Sequence, residues 1–258
     1  MLSNFKLILS APPDLVQDAL TFRLPVAHMA YRIGPGLRLL RSKLPATVRG
    51  GLMMADDSGS DGKGTVTSLC QDVLHECSGH GFEGIVLDFE RPPSPLLGKL
   101  VSELAVLAAK RNWPLYVPEA YASYSNQTKL IISSALSGGS LRQRLSESAE
   151  TYGAGRVVLG VERVAEDFFL PAPNGKCTPL SREALKKRLS ERSPAVFFSR
   201  ELCAHYFTYM SKQTGAHFVL FDDAASIRQK LKLAGDLKIQ EAMLAYPQVD
   251  DLLAQILD

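Results

Sequence analysis

Two acidic residues two positions apart, Asp88 and Glu90, stand near the end of the segment FEGIVLDFERPP, residues 82–93. The segment reads as a strand over Gly84–Glu90, and side chains alternate faces along a strand. Gly84, Val86, Asp88 and Glu90 therefore share one face, while Ile85, Leu87 and Phe89 share the other. Residues two apart on a strand lie about 6.5–7 Å apart at the backbone, so their carboxyl groups can touch. Like charges that close cannot both ionise cheaply, and one pKa should rise. No lysine or arginine shares that face within the motif, so Asp88 is expected to lean toward Glu90 and share a proton with it. A carboxylic acid kept protonated at the C-terminal end of a barrel strand is the general acid that glycosidic cleavage requires. The opposing reading is a polar strand end capped by Arg91, without catalysis.

Other chemistry-bearing groups are sparser. Glu119, after a later strand, either joins the site or is an exposed loop acid. Asp56 and Asp57 follow another strand on the same presumed face, where Asp56 is placed to bind a sugar hydroxyl if the loop is not merely solvated. Asp57, Asp61 and Gly62 have partial calcium-loop spacing, but Ser68 stands where such a loop needs its glutamate. Cys70, His75, Cys77 and His80 match no standard zinc spacing, and helical geometry puts the two cysteines on one buried stripe. They are expected to be buried thiols without metal. The chain has no phosphate loop, no G-x-G-x-x-G and no G-x-S-x-G. No metal or cofactor is implied.

The elements that would position these residues alternate. Strands are expected at Phe5–Ser10, Val26–Arg32, Gly51–Ala55, Gly84–Glu90, Leu115–Pro118, Lys129–Ser133, Arg156–Val161 and Ile239–Leu244. Helical periodicity falls at Pro12–Leu20, Leu37–Leu44, Val66–Cys77, Leu96–Arg111, Leu141–Tyr152 and Val249–Leu257. Strand–helix alternation predicts a parallel sheet with helices outside, and eight units suit a closed (β/α)8 barrel. The 258 residues fit one such domain. An excursion over about 171–223, with a helix at Ser181–Ser190 and a hairpin pairing Tyr206–Tyr209 with His217–Phe221, precedes the last strand.

Composition narrows the function classes. Lysine plus arginine is 29 against 27 acids, a net charge of +2, so no basic field marks a nucleic-acid binder. No run of 18 apolar residues exists, which argues against a membrane span. The four cysteines show no disulfide spacing and no leader-like segment is recognised, so a cytoplasmic setting is the default expectation.

Residues 83–90, EGIVLDFE, resemble the fourth-strand signature DxxDxDxE of family-18 glycoside hydrolases. The C-terminal stretch 217–246 is similar to that family's final helix and strand, and with the hairpin it looks closest to the spore-cortex and germination branch. The resemblance implies that Glu90 is the catalytic acid and Asp88 the group that orients the substrate's N-acetyl group, whose own oxygen is the nucleophile. It implies retaining cleavage of a β-linked N-acetylglucosamine polymer, peptidoglycan ahead of chitin, in a spore or cell-wall setting. Four positions depart from the pattern. Val86 and Glu83 replace aspartates of the signature, the sixth strand lacks its usual tyrosine, and Leu244-Ala245-Tyr246 stands where a tryptophan usually floors the sugar site. The sugar platform must then come from Tyr31, Tyr121, Tyr124 or Tyr246. These departures support the rival reading, a non-catalytic carbohydrate-binding or protein-interaction barrel. A third reading is a barrel enzyme with another substrate, pairing Glu90 with Glu119 or Glu162. An open cleft at Glu90 with aromatic walls favours hydrolysis, whereas Arg91 or a loop filling it favours binding.

Overall fold

The computed structural model describes residues 5–42, 48–136, 139–171 and 177–258. The order is β1 (Lys6–Ala11), α1 (Val16–Leu20), β2 (Val26–Gly34), β3 (Arg38–Arg41), β4 (Leu52–Asp56), α2 (Val66–His80), β5 (Ile85–Asp88), α3 (Pro95–Ala109), β6 (Leu115–Pro118) and a 3₁₀ turn (Glu119–Tyr124). Then follow β7 (Lys129–Ser133), α4 (Leu141–Tyr152), β8 (Val157–Val161), β9 (Ala165–Phe169), β10 (Cys177–Pro179), α5 (Arg182–Arg192) and β11 (Phe197–Ser199). The chain ends with β12 (Ala204–Ser211), β13 (Gly215–Phe221), α6 (Ala224–Asp236), β14 (Glu241–Ala245), α7 (Tyr246–Val249) and α8 (Leu253–Leu257).

Eight parallel strands close into a barrel in the order β1-β2-β4-β5-β6-β7-β8-β14, with β14 returning to β1. The strands are near-continuous apolar runs because both faces are covered, one by the barrel interior and one by helices. Ile8, Ala27, Leu52, Met54, Val86, Tyr116, Val158 and Met243 fill the inside. The outer layer holds Cys70 and Cys77 on α2 as buried free thiols, and burial pushes both up to about 12. The strand starts close one end of the barrel with polar contacts. Lys6 Nζ donates to Tyr116 Oη (3.2 Å), Tyr116 donates to Glu241 Oε2 (2.8 Å), and Lys129 Nζ donates to Glu241 Oε1 (2.7 Å). The opposite end, where the strands finish, is the mouth. Among the described residues no helix is long and apolar enough to cross a membrane.

The helix expected at Leu37–Leu44 is instead strand β3, paired antiparallel to the end of β2 with Tyr31 opposite Arg41. Gly36 and Leu37 both take left-handed backbone (φ 68° and 50°), which turns the chain straight back. Leu44 lies outside the described residues.

Between β8 and β14 the chain builds a second sheet, antiparallel, in the order β10-β9-β13-β12-β11. It begins at Ala165, earlier than the expected 171, and residues 172–176 of the expected excursion lie outside the described residues. The hairpin pairs Tyr209 with His217 and Tyr206 with Leu220. α5 covers one face through Leu185, which packs with Phe207, Val219 and Phe221. The same face carries the buried carboxylate Asp167, which accepts from Tyr209 (2.9 Å), His217 Nδ1 (2.9 Å) and Arg188. Both ends of the insertion meet one buried ion pair. Asp222 Oδ2 accepts from Lys230 Nζ (2.6 Å) and the Val164 amide (2.9 Å), while Oδ1 accepts from the Ser226 hydroxyl (2.7 Å).

Candidate active site

Alternation along β5 sorts the motif as expected. Ile85, Leu87 and Phe89 join the outer core, Val86 lies fully buried inside the barrel, and Asp88 points into the mouth. A small cavity of about 70 Å³ opens there, lined by Met29, Tyr31, Met54, Asp56 and Asp88. Asp56 and Asp88 are register partners on adjacent strands. Glu90 stands one step further out, exposed at the rim.

The electrostatics of the mouth are acidic. Burial pushes the Asp88 carboxyl up to about 6, with Glu90, Asp56, Asp57 and Glu162 acting in the same direction. The raised acid of the pair is thus Asp88. No hydrogen bond joins Asp88 to Glu90, so their coupling acts through the field rather than through a shared proton. Arg91 does not enter the cleft. Its guanidinium forks onto the carbonyl oxygens of Ser58 and Ser60, both at 2.7 Å, and leaves the Glu90 carboxylate open. Asp56 accepts from the Ser58 amide (2.8 Å) and hydroxyl and lies 3.5 Å from Arg32 Nε.

Several expected sugar contacts are not brought to the mouth as free surfaces. Tyr31 touches the cavity, yet its ring is only 3% exposed, packs edge-on to Phe82, and gives its hydroxyl to Glu76 Oε2 (3.1 Å) on α2. A register shift in β2 between Met29 and Tyr31 breaks the alternation there. Tyr121 is fully buried between Phe89 and Tyr124. Tyr246 opens α7 just past the last strand and packs in the outer core near Phe22, while Met243 and, by alternation, Ala245 are the inward positions of β14. Glu119 pairs with both guanidinium nitrogens of Arg144 on α4. Rings that remain partly open occur elsewhere. Phe197, Tyr206, Phe218 and Phe168 form a ladder across four strands of the insertion sheet, with centroid separations of 5.6, 5.3 and 6.0 Å. This is the face that α5 leaves free, and it packs at its base on Ala135, just past β7 at the mouth. Alternating aromatics in these segments are visible in the sequence, but only strand pairing lines them up.

No family model matches the sequence, and no curated protein matches it. Solved structures do. A chitinase from Chromobacterium violaceum ATCC 12472 superposes with TM-score 0.72 at 13% identity, covering 96% of this chain and 97% of the other. The Bacillus cereus spore cortex-lytic enzyme SleL gives 0.69 at 16% identity, covering 98% and 74%. A GH18 chitinase from Cycas revoluta, solved with (GlcNAc)3, gives 0.66 at 14% identity, covering 97% and 98%. The chain thus carries the (β/α)8 barrel fold shared by family-18 chitinases and spore cortex-lytic enzymes.

Proposed function

We propose that the protein is a glycoside hydrolase that cleaves β-linked N-acetylglucosamine polymers of the peptidoglycan or chitin type with retention. The observation that carries this reading is Glu90, exposed at the rim of the barrel mouth one step beyond a half-buried Asp88 whose carboxyl is held up to about 6. Glu90 gives its proton to the leaving glycosidic oxygen while the substrate's acetamido oxygen closes on the anomeric carbon. Asp88 accepts the acetamido N–H and offsets the positive charge of the cyclic intermediate. Glu90 then takes a proton from the water that opens the ring. The neighbours support the substrate class, since one of them is solved with N-acetylglucosamine units. A peptidoglycan substrate would place the protein at a spore or cell wall.

A second reading, a carbohydrate-binding barrel without turnover, is favoured by one observation. The inward positions at the ends of β7 and β14 are Ser133 and Ala245, which offer neither a hydroxyl-bearing ring nor a stacking floor. Reducing-end release from purified peptidoglycan and from N-acetylglucosamine oligomers decides between the two. The hydrolase reading expects turnover that Glu90→Gln reduces at least a hundredfold without changing the fold, since the amide keeps the shape and loses the proton. A parent that binds these glycans without cleaving them establishes the second reading instead.

A further inference from the structure

Three consecutive residues at the end of β5 are each tied down by a different partner. The Phe89 ring packs edge-on to Tyr121 at 5.2 Å. The Glu90 amide donates to Asp57 Oδ1 at 3.2 Å. The Arg91 guanidinium holds the carbonyls of Ser58 and Ser60. The loop after β4 thus forms a saddle under the turn that carries Glu90, and Asp57 is its only side chain that bonds the Glu90 backbone.

Asp57 is unusual for a structural residue. It is 1% exposed, and its Oδ2 is buried without a hydrogen-bond partner. A buried carboxylate with one oxygen unmet is a costly way to accept one amide hydrogen bond, which a neutral asparagine would do as well. Locally unfavourable groups of this kind concentrate at functional sites. Its charge also reaches the mouth, because Asp57 is among the groups that hold the Asp88 carboxyl up.

We propose that Asp57 is the positioning residue for Glu90. It fixes the Glu90 main chain at the rim, so that the carboxyl meets the scissile oxygen in one geometry. This rests on the hydrolase reading for its catalytic consequence, but not for its structural one. Geometry of this kind acts on the transition state more than on ground-state binding.

The experiment uses the full chain and three proteins: parent, Asp57→Ala and Asp57→Asn. Amide hydrogen exchange at Glu90 is read by NMR, alongside kcat and KM on an N-acetylglucosamine oligomer. In Asp57→Ala the Glu90 amide should exchange at least tenfold faster, and kcat should fall ten- to a hundredfold with KM within about twofold. Asp57→Asn keeps the acceptor and should restore Glu90 protection and most of kcat. The same variant removes a charge near Asp88, so the limb of the pH–rate profile that reports Asp88 should move to lower pH. Unchanged exchange at Glu90 in a folded Asp57→Ala overturns the proposal, as does an Asp57→Asn that is no better than alanine. Should alanine unfold the chain, Asp57→Leu, which fills a similar volume without an acceptor, takes its place, and unchanged exchange at Glu90 in it overturns the proposal. A parent inactive on every N-acetylglucosamine polymer overturns the hydrolase reading alone, while the exchange data decide the positioning role by themselves.

Discussion

Replacing Asp88 by asparagine should stabilise the protein above pH 6 while removing a group that the proposed mechanism uses. Burial first, and Glu90 second, hold the Asp88 carboxyl at about 6 instead of 3.8. Between those two values the folded chain binds more protons than the unfolded one, so stability declines as pH rises through the window. The carboxyl's contribution is therefore fully present below 3.8 and lost above about 6. The difference between 3.8 and about 6 corresponds to about 3 kcal/mol, at roughly 1.36 kcal/mol for each tenfold change in proton affinity. Unfolding entropy near 2.1 cal/mol/K per residue gives about 0.5 kcal/mol/K for a chain of this length, so the loss amounts to roughly 5 °C in Tm. Asparagine is neutral at every pH and nearly the same shape. Thermal melts followed by circular dichroism should show Asp88→Asn gaining about 5 °C on the parent at pH 7.5 and little at pH 3.5. An equal difference at both pH values, or an asparagine variant less stable at pH 7.5, would refute the electrostatic argument.

The buried ion pair at the base of the insertion makes a second prediction. Lys230→Met leaves Asp222 buried with only the Val164 amide and the Ser226 hydroxyl as donors, which should cost about 3–5 kcal/mol. Denaturant titration should show that loss, and Asp222→Asn combined with Lys230→Met should recover much of it. The aromatic ladder makes a third. If glycans lie along it, Tyr206→Ala and Phe218→Ala should each raise KM or Kd for long oligomers several-fold while leaving dimers unaffected, as read by calorimetry. Equal effects on long and short glycans would place the ladder outside the binding surface.

The barrel strands were legible because burial on both faces writes itself as short apolar runs, and the motif at residues 83–90 was legible because strand alternation is local. What failed was whatever depended on partners far along the chain. Residues 37–44 carry apolar spacing compatible with either period, and the backbone reversal at Gly36 and Leu37 decided the matter. β9, with the sequence AEDFF, has too little apolar character to announce a strand until β13 pairs with it. Tyr246 could have been assigned outward by counting alternation from Met243. Tyr31 could not, because the irregularity in β2 is invisible in the sequence. Glu119 meets Arg144 25 positions away, a distance no local pattern spans. Val86, which replaces an aspartate of the signature, packs with Ile8, Met54 and Tyr116 in the interior core, a placement set by the opposite strands rather than by the motif itself.

The Asp222 carboxylate gives the insertion a modular character. The Asp222 amide also donates to the Val164 carbonyl at 2.8 Å, so the chain leaves the barrel and re-enters it at adjoining points. An excursion with coincident ends can lengthen, shorten or be exchanged without changing the register of β8 against β14. Diversification in such an architecture falls on a detachable cassette beside the mouth, while the carboxylate-bearing strand ends remain untouched. On the hydrolase reading, splicing in another sheet of different length would change which glycans are gripped, and the rim that carries Glu90 would not move.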